Sequence, residues 1–335
     1  MKRFNVEKDF AIGADISWVP QMEAAGFVFR NKAGKEQDVL LTLKDYGMDT
    51  IRLRTWVNPS DNSHSGHCSA EETVAFAKRC KKMGCRIMLN FHYSDSWADP
   101  KQQRIPAAWE DLSFDKLVKK MYDYTFEVIT LFEQNNVELE WVQIGNETNP
   151  GMLIPMGSTD NFENLCKLYN SGHDAVKAVS PQTITMVHLA EINRTDFCIN
   201  YIENLEKFNC RYDMLGFSVY PYWAHKESGM SYEECLTGYK KSMFEIPKRF
   251  NKDIMLVETG GVDEDEEGTA KLFEDLLDVM AQQPKCKGIL LWEPQGAKVW
   301  SRYTLSAWRA DGIPSDALNV LCNIKKQTFE PEGDL

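Results

Sequence analysis

Two glutamates in this chain stand where acid–base chemistry would need them. Glu147 follows the apolar run Trp141-Val-Gln-Ile144 and a Gly145-Asn146 step, and the breakers Asn149 and Pro150 come directly after it. Glu258 ends a second apolar run, Asp253-Ile-Met-Leu-Val257, and leads into Thr259-Gly-Gly261. Each reads as a carboxylate at the end of a buried strand. In a parallel α/β protein the C-terminal strand ends form the ligand-binding face, so the two carboxylates are expected at one site. Such a pair can cleave a glycosidic bond: one carboxylic acid protonates the leaving oxygen, and the other carboxylate attacks or activates water.

The other strand ends carry Asp15 and Trp18, Arg54 and Trp56, His92 and Tyr93, Asn146, His188, Tyr220 and Tyr222, and Trp292 with Glu293. A lone Arg or His at such a place is more often a structural hydrogen-bonder than a catalyst. Gathered on one face, these residues read as a binding surface. Asn146 can meet a sugar 2-hydroxyl, Arg54 can hold Glu258 ionised, and Tyr220 can donate to it. A drier setting would keep Glu147 protonated. Pyranose rings pack their C–H faces on flat aromatics, and Trp18, Trp97, Trp109, Trp223, Trp292 and Trp300 lie in or near the same loops. Asp95 and Trp97 belong to the run Tyr93–Pro100, which mixes aromatic, hydroxyl and carboxylate groups as saccharide recognition requires.

Holding these residues on one face requires alternating strands and helices. Strands are expected at residues 10–17, 50–56, 86–92, 141–146, 183–189, 214–220, 253–258 and 286–294. Helices are expected near 38–46, 69–83, 113–136, 162–179, 196–208, 232–249, 269–281 and 316–324. Eight repeats with no linker predict one α/β domain over 1–335, a single (β/α)8 TIM barrel. A doubly wound sheet is the alternative, but Gly13-Ala-Asp-Ile-Ser17 is not its phosphate loop.

Across 335 residues, 43% are hydrophobic and 26% charged, which excludes disorder, and the formal charge of −12 opposes nucleic acid and anionic membranes as partners. No apolar run is long enough to span a bilayer. The nine cysteines lack Cys-x-x-Cys spacing and read mostly as buried free thiols. The acidic run Asp263–Glu267 offers oxygen ligands for calcium, yet it lacks an EF-hand pattern and precedes a helix, so it reads as a helix start. His64 and His67 read as surface residues, and no metal or other cofactor is expected.

The chain resembles the endo-β-1,4-galactanases of glycoside hydrolase family 53, within the clan of (β/α)8 retaining glycosidases. The likeness rests on Gly13-Ala-Asp-Ile-Ser-Trp18, Leu53-Arg-Thr-Trp-Val-Asn-Pro59, Asn90-Phe-His-Tyr-Ser-Asp-Ser-Trp-Ala-Asp-Pro100, Gln143-Ile-Gly-Asn-Glu147, Ser218-Val-Tyr-Pro-Tyr-Trp223, Val257-Glu-Thr-Gly260 and Trp292-Glu-Pro294. It implies double-displacement hydrolysis of the galactan, or type I arabinogalactan, side chains of pectin. Glu147 would be the acid/base and Glu258 the nucleophile. Departures occur at the sugar-binding rim: Gly261-Val262, Gln295-Gly296, and Ala190 where the family usually has Asp. Rival readings are a related enzyme acting on mannan, cellulose or xylan, a silent sugar-binding barrel, and a metal-dependent barrel, the last disfavoured by the lack of a ligand cluster. A neutral polysaccharide is the expected partner and a monomer the expected state. The opening Met-Lys-Arg-Phe-Asn5 has no apolar leader. The expected setting is secreted, periplasmic or cell-surface, with the targeting segment outside this sequence, and the cytoplasm is the alternative.

Overall fold

Aliphatic runs buried on both faces form the strands of this protein, and amphipathic stretches between them form the helices that cover the sheet. The computed structural model describes residues 2–327. Its strands are β1 (Ala11–Asp15), β2 (Thr50–Thr55), β3 (Arg86–Phe91), β4 (Trp141–Ile144), β5 (Ile184–Leu189), β6 (Met214–Ser218), β7 (Asp253–Glu258) and β8 (Cys286–Trp292). They pair in parallel and in sequence order, and β8 returns to β1 to close the barrel.

The crossings are α1 (Val39–Asp45), α2 (Ala70–Lys82), α3 (Phe114–Gln134), α4 (Phe162–Val179), α5 (Thr195–Lys207), α6 (Tyr232–Phe250) and α7 (Glu266–Met280). Local chemistry sets several of their starts. Ser69 and Ser231 open α2 and α6 with reciprocal capping boxes to Glu72 and Glu234. Asp265 caps α7 by accepting from the Gly268 amide, so the acidic run lies at a helix start. The eighth crossing differs from the α-helix expected at 316–324: Asp316–Asn323 is a 3-10 helix. Its buried residues, Ala317, Leu318, Val320 and Leu321, recur every three positions, which fits three residues per turn.

Inside the barrel, side chains form layers. Ala11, Met88, Trp141, Met186, Met214, Met255 and Leu290 make an apolar plug at the lower end. Two residues further along β3, β4 and β5 the inward positions turn polar, at Asn90, Gln143 and His188, and Arg52 of β2 joins them, all fully buried. The site stands on that polar layer. Three short helices lie on its side of the barrel, at Val19–Ala24, Pro221–Ser228 and Lys298–Ser301. On the opposite side, Phe4–Glu7 pairs in parallel with Ile324–Gln327, joining the first and last described segments.

Candidate active site

Glu147 lies beyond β4 in a turn that regular strand geometry cannot make. Gly145 has φ +89°, and a Cβ there would come within 2.7 Å of Thr148 Cγ2. Glu147 itself has φ +46°, in the left-handed region that carboxylate side chains rarely occupy. The neighbours hold this backbone in place. Thr148 N donates to His188 O at 3.0 Å, and Tyr201 Oη donates to Thr148 O at 2.8 Å. Asn149 exchanges hydrogen bonds with the Ala190 backbone at 2.8 and 3.1 Å, and Gln103 Nε2 donates to Asn146 O at 2.7 Å.

Glu258 reaches the same place differently. Its alternation partners Met255 and Val257 face the barrel interior, so an ordinary strand would turn Glu258 outward. Between Leu256 and Glu258 the register against β6 slips: Leu256 opposes Phe217, while Glu258 opposes Ser218. Val257 is the extra residue of a bulge, and the bulge re-aims Glu258 into the site. Arg52 Nη2 lies 2.8 Å from Glu258 Oε1, and Tyr220 Oη donates to Oε2 at 3.3 Å. Ligand-type atoms of Glu147, Glu258 and His188 all lie within 4.8 Å of one another.

The surroundings separate the two carboxyls electrically. Burial, and then the negative charge of Glu258, hold Glu147 well above the usual carboxyl range. Burial raises Glu258 as well, but the Arg52 guanidinium opposes that rise and favours its ionised form. The pair thus titrates as a unit in which Glu147 keeps its proton longer. His92 and His188 are held neutral, first by burial and then by nearby arginines.

The carboxyls open into a cleft of about 360 Å³. His92, Trp97 and Asn146 line it with Glu147 on one side, and Ser218, Tyr220, Trp223, Trp292 and Tyr303 complete the wall. Asn146 Oδ1 accepts from Arg52 and Asn90, at 2.8 and 2.9 Å, and one amide hydrogen goes to Ala98 O. Its second amide hydrogen remains for a ligand. At the rim, Lys101 and Glu227 meet at 2.5 Å and link the loop after β3 to the helix after β6.

A family model described as glycosyl hydrolase family 53 matches residues 11–324. The chain belongs to this family. It is 29% identical over 316 residues to a Bacillus subtilis protein named endo-beta-1,4-galactanase, a match spanning 86% of this chain and 71% of that protein. Its identity to an Emericella nidulans protein named arabinogalactan endo-beta-1,4-galactanase A is 34% over 253 residues, spanning 74% and 69%. Among solved structures, the family 53 catalytic domain from Ignisphaera aggregans superposes with a TM-score of 0.85 at 27% identity, covering 94% of this chain and 96% of that one. A fungal beta-1,4-galactanase structure gives 0.83 at 28%, covering 93% and 98%. This protein is a glycoside hydrolase of family 53.

Several residues expected to touch substrate stand elsewhere in this family 53 enzyme. The arginine beside Glu258 is Arg52, whereas Arg54 is bound to Glu293 and sits among the rings of Trp18, Trp56 and Trp97 at 5.5, 5.3 and 4.4 Å. Asp15 is buried against Arg52 at 2.9 Å and orients it from below. His188 lies under Glu147, outside the cleft wall. Tyr93 stacks on Phe91 and bonds to Thr125, pointing outward into the helical layer. Asp95 pins its own loop by accepting from the amides of Asn58 and Ala107. Trp18 is buried behind Trp97 and Trp292, and Trp300 stacks on His64 at 4.5 Å, beside the cleft. Tyr222 is displaced by the helix Pro221–Ser228, which presents Tyr220, Trp223, Ala224 and Glu227 to the cleft at helical spacing. Trp109 packs on Tyr124 and is also buried.

The trio Glu147, His188 and Glu258 is the ligand cluster that sequence reasoning did not find. Two of its three members already have partners: the His188 nitrogens meet Asn146 and Ser218, and Glu258 meets Arg52. That partnering fits an acid–base site. His67, read as a surface residue, pairs with Glu72 at 2.9 Å. All nine cysteines are free thiols.

Proposed function

We propose that this family 53 hydrolase is a retaining endo-β-1,4-galactanase acting on the galactan side chains of pectin, with Glu147 as acid/base and Glu258 as nucleophile. The observation that carries the reading is the unequal setting of two adjacent carboxyls: Arg52 supports the charge on Glu258, while burial and that charge keep the proton on Glu147. Glu258 attacks the anomeric carbon as Glu147 protonates the departing oxygen. The glycosyl-enzyme is then hydrolysed by water deprotonated by Glu147. Carboxyl groups of retaining enzymes stand roughly 5–5.5 Å apart, and inverting ones roughly 6.5–9.5 Å. The approach within 4.8 Å supports retention. The second amide hydrogen of Asn146 is available to the 2-hydroxyl, and the ring faces of Trp97 and Trp292 suit pyranose C–H surfaces.

The galactan assignment rests on the named relatives, because the two-glutamate machinery is common to many polysaccharide hydrolases. The test is to incubate the enzyme separately with linear galactan, mannan, xylan and cellulose, sizing products and following fresh galactan digests by proton NMR. Rapid chain shortening of galactan alone, with the β-anomer appearing first, is expected. Preference for another polymer would overturn the substrate, and early α-anomer would overturn the nucleophile role of Glu258.

A further inference from the structure

We propose that the buried Arg54–Glu293 ion pair positions the aromatic wall on which the sugar stacks: Arg54 fixes the ring of Trp97 through its guanidinium, and Glu293 fixes Trp292 through the backbone. The proposal rests on the pyranose-stacking role given to Trp97 and Trp292 above.

Arg54 is 1% exposed and lies behind the cleft wall rather than in it. Its Nη1 donates to Glu293 Oε1 at 2.5 Å and stands 3.5 Å from Asp15 Oδ1. Its Nε and Nη2 have no hydrogen-bond acceptor among the described residues. Indoles surround the guanidinium instead, with the rings of Trp97, Trp56 and Trp18 centred 4.4, 5.3 and 5.5 Å from its carbon, inside the roughly 6 Å over which a cation is held by an aromatic face. Trp97 needs that support. It comes from the irregular loop after β3 and is half-buried, and its ring is boxed edge-to-face by Trp56 and Trp18 at 5.0 and 6.0 Å.

Glu293 does the corresponding work for Trp292. Its two oxygens accept from the Trp18 amide at 3.1 and 3.3 Å, and Oε2 also accepts from Gln295 Nε2 at 2.5 Å. Its backbone has φ +43°, and its amide donates to Asp15 O at 2.9 Å. Trp292 directly precedes this pinned residue, and its ring meets Trp97 at 5.8 Å and Trp18 at 5.2 Å. Each cleft tryptophan is therefore tied to one member of the pair. Stability alone does not account for the arrangement, because a buried ion pair gains little over apolar residues of similar volume and unpartnered guanidinium nitrogens add a cost. A ring that must receive a pyranose gains from being held beforehand, since the substrate then does not have to order it.

The test is a double-variant cycle of kcat/KM on linear galactan, or on whichever polymer the enzyme shortens fastest, for wild type, Arg54→Lys, Trp97→Ala and the combination. Lysine keeps a cation beside Glu293 but loses the flat stack. Arg54→Lys should lower kcat/KM about 10-fold, chiefly through KM, with both limbs of the pH profile in place. In the Trp97→Ala background the same change should cost less than about 2-fold. An equal loss in both backgrounds, or a shifted limb, would overturn the proposal. Trp97→Ala separates the underlying reading: an unchanged kcat/KM there removes Trp97 as a sugar platform, whereas a loss there beside none in Arg54→Lys removes the positioning role alone. Arginine side-chain NMR of the wild-type enzyme is independent of how the variants fold. The Arg54 Nε–H should be shifted upfield by the indole ring currents and should move when galactobiose is added, although Arg54 does not line the cleft. A resonance at the ordinary arginine position, or one indifferent to the sugar, would refute the arrangement.

Discussion

The ends of β4 and β7 deliver the same side chain to the same cleft by different backbone devices. At β4 the chain leaves the sheet through Gly145 and a left-handed Glu147, and its conformation is held by side chains from α4 and α5 and by backbone groups at the end of β5. At β7 the ladder continues to Glu258, and one extra residue, Val257, rotates the carboxyl inward. A bulge keeps its residue within the sheet, so Glu258 is rigidly opposed to Arg52 on the facing wall. A turn beyond the sheet leaves Glu147 only half-buried, at the cleft wall. The proposed nucleophile is thus built into the barrel and the proposed acid is built onto it.

Removing each carboxyl in turn tests this division most severely. Glu258→Gln should lower kcat on galactan by at least about 10⁴, whatever the leaving group, since no nucleophile remains. Glu147→Gln should cost about 10²–10⁴ on galactan but much less on an aryl galactoside whose leaving group needs no proton. Equal losses on both substrates would erase the distinction. Arg52→Lys should lower kcat/KM by about 10–100-fold and move the acid limb of the pH profile upward, because Glu258 loses a guanidinium nitrogen that Asp15 and Gln143 hold in place beside it. The sign is fixed: weaker support for the carboxylate raises its pKa, and activity requires it ionised. Arg54→Lys should leave that limb in place.

A smaller effect is expected at the turn. Gly145→Ala adds a Cβ against Thr148 at a positive φ, and should cost about 1–3 kcal/mol of stability by thermal unfolding while displacing Glu147 more than Glu258. Chelation marks the low end of the scale. Exhaustive EDTA treatment should leave galactan hydrolysis within experimental error of the untreated enzyme, because both His188 nitrogens and a Glu258 oxygen are engaged with protein partners. A loss of activity restored by a divalent cation would contradict that.

The same contrast explains what the sequence disclosed. Strand and helix positions follow from apolar periodicity, and Glu147 falls on the inward alternation of Trp141, Gln143 and Gly145, so its aim was legible. Glu258 is out of phase with Met255 and Val257, and only pairing with β6 reveals the bulge. Arg52 and Arg54 share a face two residues apart. Which one meets Glu258 depends on strand stagger around the barrel, which is not a local property. Tyr303 carried no distinctive pattern, and Ser218 stood only at the head of the run through Trp223. The helix that turns Tyr222 aside did leave a signal in Pro221 at its first position, but the Tyr-Pro-Tyr spacing also reads as an extended strand end.

The parallel pairing of Phe4–Glu7 with Ile324–Gln327 has a consequence for handling this protein. Lys287 at the start of β8 bonds Glu7, and Lys326 bonds Asp49 just before β2, so this small ribbon is fastened to the barrel at the N-terminal ends of its strands. The cleft opens at the other ends. A tether, tag or support attached through either segment would stand behind the molecule, leaving the mouth free to travel along an insoluble polymer.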